Sequence, residues 1–176
     1  MERQFHGFDF EKRIIEEKGL TPSKGYTSKW DAFNGNTPVS IKCEKFGTDV
    51  EMADYFRNAA VDTDFEMYVG FWDETSGDVV EVHHLLIPAD YWHSLFSEEF
   101  SEKFHSLLDN ITNDHADDAR WKAEISALKK EWKAKTPNVI RPRFKRDHKT
   151  QKRIQCAINN SDFYNIFVRR FSVGNN

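Results

Sequence analysis

Apolar and polar positions along this chain repeat with two different periods, and each change of period marks a new element. From Phe8 to Lys18 the spacing is helical, with Phe8, Glu11 and Ile15 along one side and Phe10, Ile14 and Glu17 along the next. Gly19 ends that helix. After the break at Thr21-Pro22-Ser23, Tyr26 to Phe33 alternates loosely, Asn34-Gly35-Asn36 supplies turn residues, and Val39, Ile41 and Cys43 alternate with Ser40, Lys42 and Glu44. A hairpin is predicted there, with Val39, Ile41 and Cys43 toward a core and Lys42 on the opposite face. Thr48-Asp49-Val50-Glu51 fits a capping box that opens a helix from Asp49 to Ala60. Phe65 to Trp72 and Val79 to Ile87 predict a second hairpin across the polar turn Asp73 to Asp78, with Leu85-Leu86-Ile87 reading as a buried central strand. Pro88 opens a helical turn to Phe96. Phe100, Phe104, Leu107, Leu108 and Ile111, then Trp121, Ile125, Leu128 and Trp132, predict two amphipathic helices whose stripes form core or a dimer seam. Near the end Pro142 argues against a helix, and Ile154, Cys156 and Ile158 alternate as a strand.

Length and composition narrow this picture. At 176 residues and 39% apolar content, with 15 Phe, 5 Trp and 5 Tyr, the chain is expected to form a single domain with a sizeable aromatic core. No apolar run approaches a membrane span, and Met1 to Gly19 lacks the apolar centre of a secretory signal, so an intracellular, cytoplasmic protein without a membrane partner is expected. Cys43 and Cys156 are too few for a disulfide framework and read as buried thiols. No ligand set of metal spacing surrounds His83, His84 and His93, and His105 and His115 read as surface residues.

Charge is distributed unevenly. Residues 139–176 hold nine Lys or Arg against Asp147 and Asp162, which places +7 there and −11 on residues 1–138 within an overall −4. An acidic body with a basic end suits a protein that gathers metal-binding carboxylates in one place and meets a polyanion in another. Arg141, Arg143, Lys145, Arg146, Lys149, Gln151, Lys152 and Arg153 are the expected DNA-binding residues. Arg141, Arg143, Gln151, Arg153 and Gln155 are also side-chain types that read base edges. The alternative is a solvated basic loop.

The stretch from Gly25 to Lys45 carries the candidate chemistry, with Asp31 near the end of one strand and Ser40, Lys42 and Glu44 on one face of the next. A carboxylate and a lysine on neighbouring strands can grip a divalent cation and a phosphodiester. Glu11, at the edge of its helix's apolar stripe, either points toward such a site or pairs with a neighbouring lysine in solvent.

The order of an early helical Glu11, Asp31 at a strand end, a short turn and Ser40-Ile41-Lys42 resembles the PD-(D/E)XK nuclease superfamily, which includes many type II restriction endonucleases, over residues 7 to 60. The resemblance implies an α/β domain with a central mixed β-sheet flanked by helices, a restriction-endonuclease-like core. It also implies a metal-dependent endonuclease that hydrolyses phosphodiester bonds in double-stranded DNA, sequence-specific in the restriction or homing manner, with Mg²⁺ or in its place Mn²⁺. Asp31 would be the principal metal ligand, Lys42 the catalytic lysine, and Glu11 a further ligand. Trp30 stands where the superfamily commonly has proline, and Ser40 stands where it usually has Asp or Glu. The displaced carboxylate would come from Glu51 or Asp54 on the following segment, or from Glu44. Glu51 is equally explained as part of the capping box. Two strand cuts need two sites, so a homodimer is expected. Two other readings are a DNA-binding module that has lost its metal site at Ser40, and a protein-interaction domain in which Gly25 to Lys45 is an ordinary hairpin.

Overall fold

The structure, a computed structural model, describes residues 2–25, 28–146 and 151–174. The fold is α/β, and the chain forms two compact units, each assembled from separate stretches. Unit 1 takes Met1–Glu51, Asp62–Asp90 and Ile158–Asn176, and unit 2 takes Met52–Val61 and Tyr91–Ala157. The basic segment 139–176 is divided between the two, at Ala157 and Ile158.

Unit 1 is built on a five-stranded mixed sheet in the order β1 (Thr21–Pro22), β2 (Ala32–Asn34), β3 (Thr37–Lys45), β5 (Phe65–Trp72), β6 (Val79–Ile87). The predicted first hairpin is present; among the described residues its first strand is β2, while Tyr26 and Thr27 of the predicted strand lie outside the described residues. Gly35, at φ +60°, takes the turn position where a side chain would be strained. β3 and β5 run parallel, with Lys42 opposite Val69, and β5 and β6 form the second hairpin over the predicted residues. Every residue of β5 is buried, because it lies inside the sheet between β3 and β6. β6 is the edge strand, and its end alternates: Leu85 and Ile87 are buried and Leu86 is exposed, which corrects the reading of these three as a central strand.

Helix α1 (Glu2–Lys18) covers one face of this sheet. Phe10 and Ile14 join Val39, Ile41, Cys43, Tyr68 and Trp72 in one core, whereas Phe8, on the adjacent side of the helix, is 62% exposed. The helix comes close at Gly70, where an added Cβ would lie 2.7 Å from the Phe10 ring. Gly70→Ala is therefore expected to cost about 1–3 kcal/mol through overpacking, read from the urea midpoint, with Phe10→Leu in the same chain recovering part of it. The opposite face carries Phe71, which packs against Phe163 at 5.6 Å between ring centroids. Phe163 begins a π-helical stretch, Phe163–Val168, between α6 (Asn160–Asp162) and α7 (Arg169–Phe171), a helical ending that the sequence reading did not foresee.

The predicted helix from Asp49 to Ala60 is instead a strand, β4 (Val50–Asp54), followed by the short helix α2 (Tyr55–Ala59). Ala53 at φ +65° breaks helical geometry, and the Asp54 side chain caps α2 by accepting from the Arg57 N–H at 2.8 Å. Thr48 does not act as a helix cap; its hydroxyl donates to the Lys45 carbonyl.

Unit 2 holds a sheet in the order β4, β8 (Lys152–Ile158), β7 (Ile140–Arg146), with helices α3 (Ala89–Ser94), α4 (Glu98–Asn110) and α5 (Asp118–Lys135). Its core is aromatic: Trp132 packs on Tyr55, Phe100 and Phe104. Its two buried indoles are satisfied locally, with Trp92 Nε1 donating to the Asn58 carbonyl and Trp132 Nε1 to the Ile140 carbonyl. Among the described residues no helix is long and apolar enough to cross a membrane.

Candidate active site

Within unit 1, β2 pairs with β3 only from Thr37 to Val39, so past that point this edge of β3 is uncovered by a strand. A hollow of about 250 Å³ opens there, lined by Gly7, Phe8 and Glu11 of α1, by Asp31, and by Ile41 to Glu44 of β3. Four of the sequence-predicted residues, Glu11, Asp31, Lys42 and Glu44, thus share one cavity. They come from a helix, a loop and a strand that only the folded sheet brings together.

Asp31 sits one residue before β2 and is held on three sides. Its N–H donates to the Val39 carbonyl at 3.0 Å, its carbonyl accepts from Ser23 N–H at 3.1 Å, and its Oδ2 accepts from Ile41 N–H at 2.7 Å. The carboxylate occupies the position that a pairing strand would fill, and the loop before it is fixed by Trp30 against Phe65 at 5.1 Å. One carboxylate oxygen thus holds the loop to β3, and the side chain as a whole lines the hollow. Lys42 is half-buried and forms no ion pair among the described residues. Glu44 is 4% exposed, and its Oε1 accepts the Glu51 N–H at 3.1 Å.

Glu11 reports the closeness of these charges. Burial, and then the Asp31 carboxylate, raise its pKa above the ordinary glutamate value, while Lys42 acts in the opposite direction. Because the folded state then holds this proton more tightly than the unfolded chain, the group's contribution to stability is present below the unfolded pKa and lost as pH rises through the folded one. Glu11→Gln is accordingly expected to raise the Tm at pH 7 by about 1–2 °C, a small gain because solvent screens a half-exposed group. That gain should disappear below about pH 4, where the native glutamate is itself protonated. A Tm lowered at pH 7 would show that Glu11 is not under this strain.

The other predicted residues lie elsewhere. Ser40 is 1% exposed in β3, its hydroxyl has no hydrogen-bond partner among the described residues, and it does not line the hollow. Glu51 lies on β4 and meets the site through its backbone N–H to Glu44; its side chain is not among the lining groups. Asp54 is engaged as the cap of α2.

In unit 2, Arg141 and Lys145 are exposed on β7, Gln151 is exposed before β8, and Arg143, Arg153 and Gln155 are half-buried. Lys149 lies outside the described residues. Lys152 has a structural role: at 3% exposure its ammonium donates to the carbonyls of Thr112 and Asp114 and lies 3.2 Å from Asp118. Arg146 is paired with Asp118 and also donates to the Asn113 carbonyl. Hydrogen bonds from Arg146, His115 and Lys152 hold the Asp118 carboxyl far below the usual range, with burial opposing them. Two residues expected at a DNA surface are therefore engaged in holding the 3₁₀ turn His115–Asp117 and the start of α5 to the sheet. His83 and His84 are bonded to Glu81 and Glu66.

Among the described residues no group of three or more His, Cys, Asp or Glu side chains is gathered closely enough to hold a metal ion. What the hollow provides is a pair of electrostatically coupled oxygen donors, Glu11 and Asp31, with a lysine beside them. That donor set fits a hard cation such as Mg²⁺, which keeps several waters and is bound through one or two carboxylates together with substrate phosphates rather than in an all-protein cage. Gly7 and Phe8 also line this cavity, two residues that the spacing of the helix did not single out as site residues. Comparison of the chain with protein-family models, with curated proteins and with solved structures finds no match.

Proposed function

We propose that the protein is a metal-dependent endonuclease of PD-(D/E)XK type that hydrolyses phosphodiester bonds in double-stranded DNA at the Glu11–Asp31–Lys42 site. The observation that carries this reading is the convergence of Glu11, Asp31, Lys42 and Glu44 in one hollow at the uncovered edge of β3. Asp31 and Glu11 hold the cation, Mg²⁺ or Mn²⁺. The chemistry such an ion supplies when bound is Lewis-acid polarisation of the phosphoryl oxygen and a lower pKa for water. The Lys42 ammonium orients the scissile phosphate and offsets the negative charge that grows on its oxygens. As the water oxygen bonds to phosphorus its proton passes to solvent, and the bond to the leaving sugar oxygen breaks with that oxygen taking a proton from a second water. Exposed cations on β7, Arg141 and Lys145 among them, contact the DNA backbone. A homodimer would place two such sites on one duplex.

The test is conversion of supercoiled plasmid to nicked and linear forms with Mg²⁺, with Mn²⁺ and with EDTA. Cleavage that EDTA abolishes supports the reading. A second reading, a non-catalytic DNA-binding module on the same scaffold, is favoured by one observation: Ser40 places a buried hydroxyl, without a partner among the described residues, where the resemblance implies a carboxylate. It predicts salt-dependent binding and intact plasmid in every metal.

A further inference from the structure

Unit 2 contains a larger hollow, about 630 Å³, between one face of α5 and β7. Trp121, Ile125 and Phe144 give it an apolar wall, with the Trp121 and Phe144 rings meeting edge to face at 6.1 Å. Its helical side repeats every three or four residues, so that Lys122, Ser126 and Lys129 lie along one stripe at the rim. The only carboxylate in its lining, Asp118, is already neutralised by Arg146 and Lys152. Lys122 and Lys129 therefore add to a lining that Arg146 already makes cationic. Neither forms an ion pair with a carboxylate among the described residues, and the Lys129 ammonium lies 5.8 Å from the centroid of the Phe144 ring. A second hollow of about 250 Å³ shares Lys129 and is lined further along the helix by Lys133 and by Arg141 and Arg143 of β7. Cations thus continue past the apolar pocket in a row.

An aromatic wall under a cationic rim suits a ligand with a flat apolar ring and an attached anion, and a volume near 600 Å³ falls in the range of small-ligand sites. A row of further cations suits a chain of phosphates rather than one. We propose that the α5/β7 hollow takes an unpaired nucleotide of a DNA strand, its base against Trp121, Ile125 and Phe144 and its flanking phosphates on Lys122 and Lys129. A base still in a duplex cannot enter a pocket of this kind, so the ligand is single-stranded or locally opened DNA. The choice of DNA as the phosphate carrier rests on the proposed function; the recognition itself does not require that the protein hydrolyse anything.

The experiment is fluorescence anisotropy of the full chain in EDTA with a labelled 15-nucleotide single strand, with the blunt duplex of the same sequence, and with labelled polyglutamate. Thymidine monophosphate serves as competitor. Two variants at exposed positions are compared: Lys122→Ala with Lys129→Ala, and Ser126→Phe, which fills the hollow without changing its charge. The expected result is tighter binding of the single strand than of the duplex. The double lysine variant should lose about tenfold or more in single-strand affinity, and its log K against log salt should flatten by about 1.4, two phosphate contacts at roughly 0.7 each. Ser126→Phe should lower single-strand affinity with the salt slope unchanged. Competition by the mononucleotide at concentrations close to those of the strand would assign the pocket to free nucleotides and overturn the strand proposal. Polyglutamate binding as tight as DNA, or single-strand affinity unaltered in both variants, would also overturn it. Because EDTA removes cleavage from the readout, a protein that never cuts DNA in the plasmid test still gives an answer here.

Discussion

Asp31→Asn is expected to lower DNA cleavage by about 10²–10³-fold or more, the scale on which removal of one preorganised electrostatic group slows an enzyme, while leaving the fold intact. The asparagine carbonyl can still accept the Ile41 N–H that Asp31 Oδ2 now accepts at 2.7 Å, so the loop before β2 keeps its anchor. What disappears is the charge, and with it one of the two carboxylates proposed to hold a hard cation. The same change removes a negative group from the face proposed to meet phosphate, so DNA affinity measured in EDTA should be equal or greater. Single-turnover linearisation of plasmid, with anisotropy alongside it, separates the two effects. Cleavage at the parent rate would remove Asp31 from the site.

Trp132→Ala should produce the largest loss of stability, about 3–5 kcal/mol for unit 2. The indole is 2% exposed, packs on Tyr55, Phe100 and Phe104, and donates its N–H to the Ile140 carbonyl at 2.9 Å. Alanine opens a cavity that these rings cannot collapse to fill, and it leaves a buried carbonyl without its donor. Trp132→Phe keeps most of the packing and loses only the N–H, so its cost should be nearer 1–3 kcal/mol. Urea denaturation followed by near-ultraviolet circular dichroism reads both variants. A loss below about 1 kcal/mol for the alanine variant would place the unit's core elsewhere.

Periodicity located the elements whose burial is simple. Phe65–Trp72 and Val79–Ile87 lie where alternation put them, and Phe10 with Ile14, and Val39 with Ile41 and Cys43, face one core. It failed at Val50–Asp54 because Val50 and Met52, two apart and both buried, suit a strand while Thr48 to Glu51 suits a helix cap; the positive φ of Ala53 that decides the matter leaves no mark on composition. The sequence suggested Glu11 and Asp31 as partners by order alone. Their coupling depends on α1 lying over the uncovered edge of β3, a long-range packing fact. Lys152 shows the limit most plainly: in a basic run it reads as a surface cation, yet carbonyls some forty positions earlier in the chain enclose its ammonium. Lys122 and Lys129 escaped notice for the converse reason, since seven residues apart on a charged helix they look like ordinary solvated lysines until β7 supplies the facing wall.

The central claim is that Glu11, Asp31 and Lys42 form a hydrolytic site for DNA. It is tested most directly by incubating the protein and its Asp31→Asn variant with a mixed-sequence plasmid library in Mg²⁺, in Mn²⁺ and in EDTA, and sequencing every new end. Discrete ends that require the metal and vanish with Asp31→Asn are the predicted result. A library left intact in both metals, or ends produced equally by the variant, would contradict it.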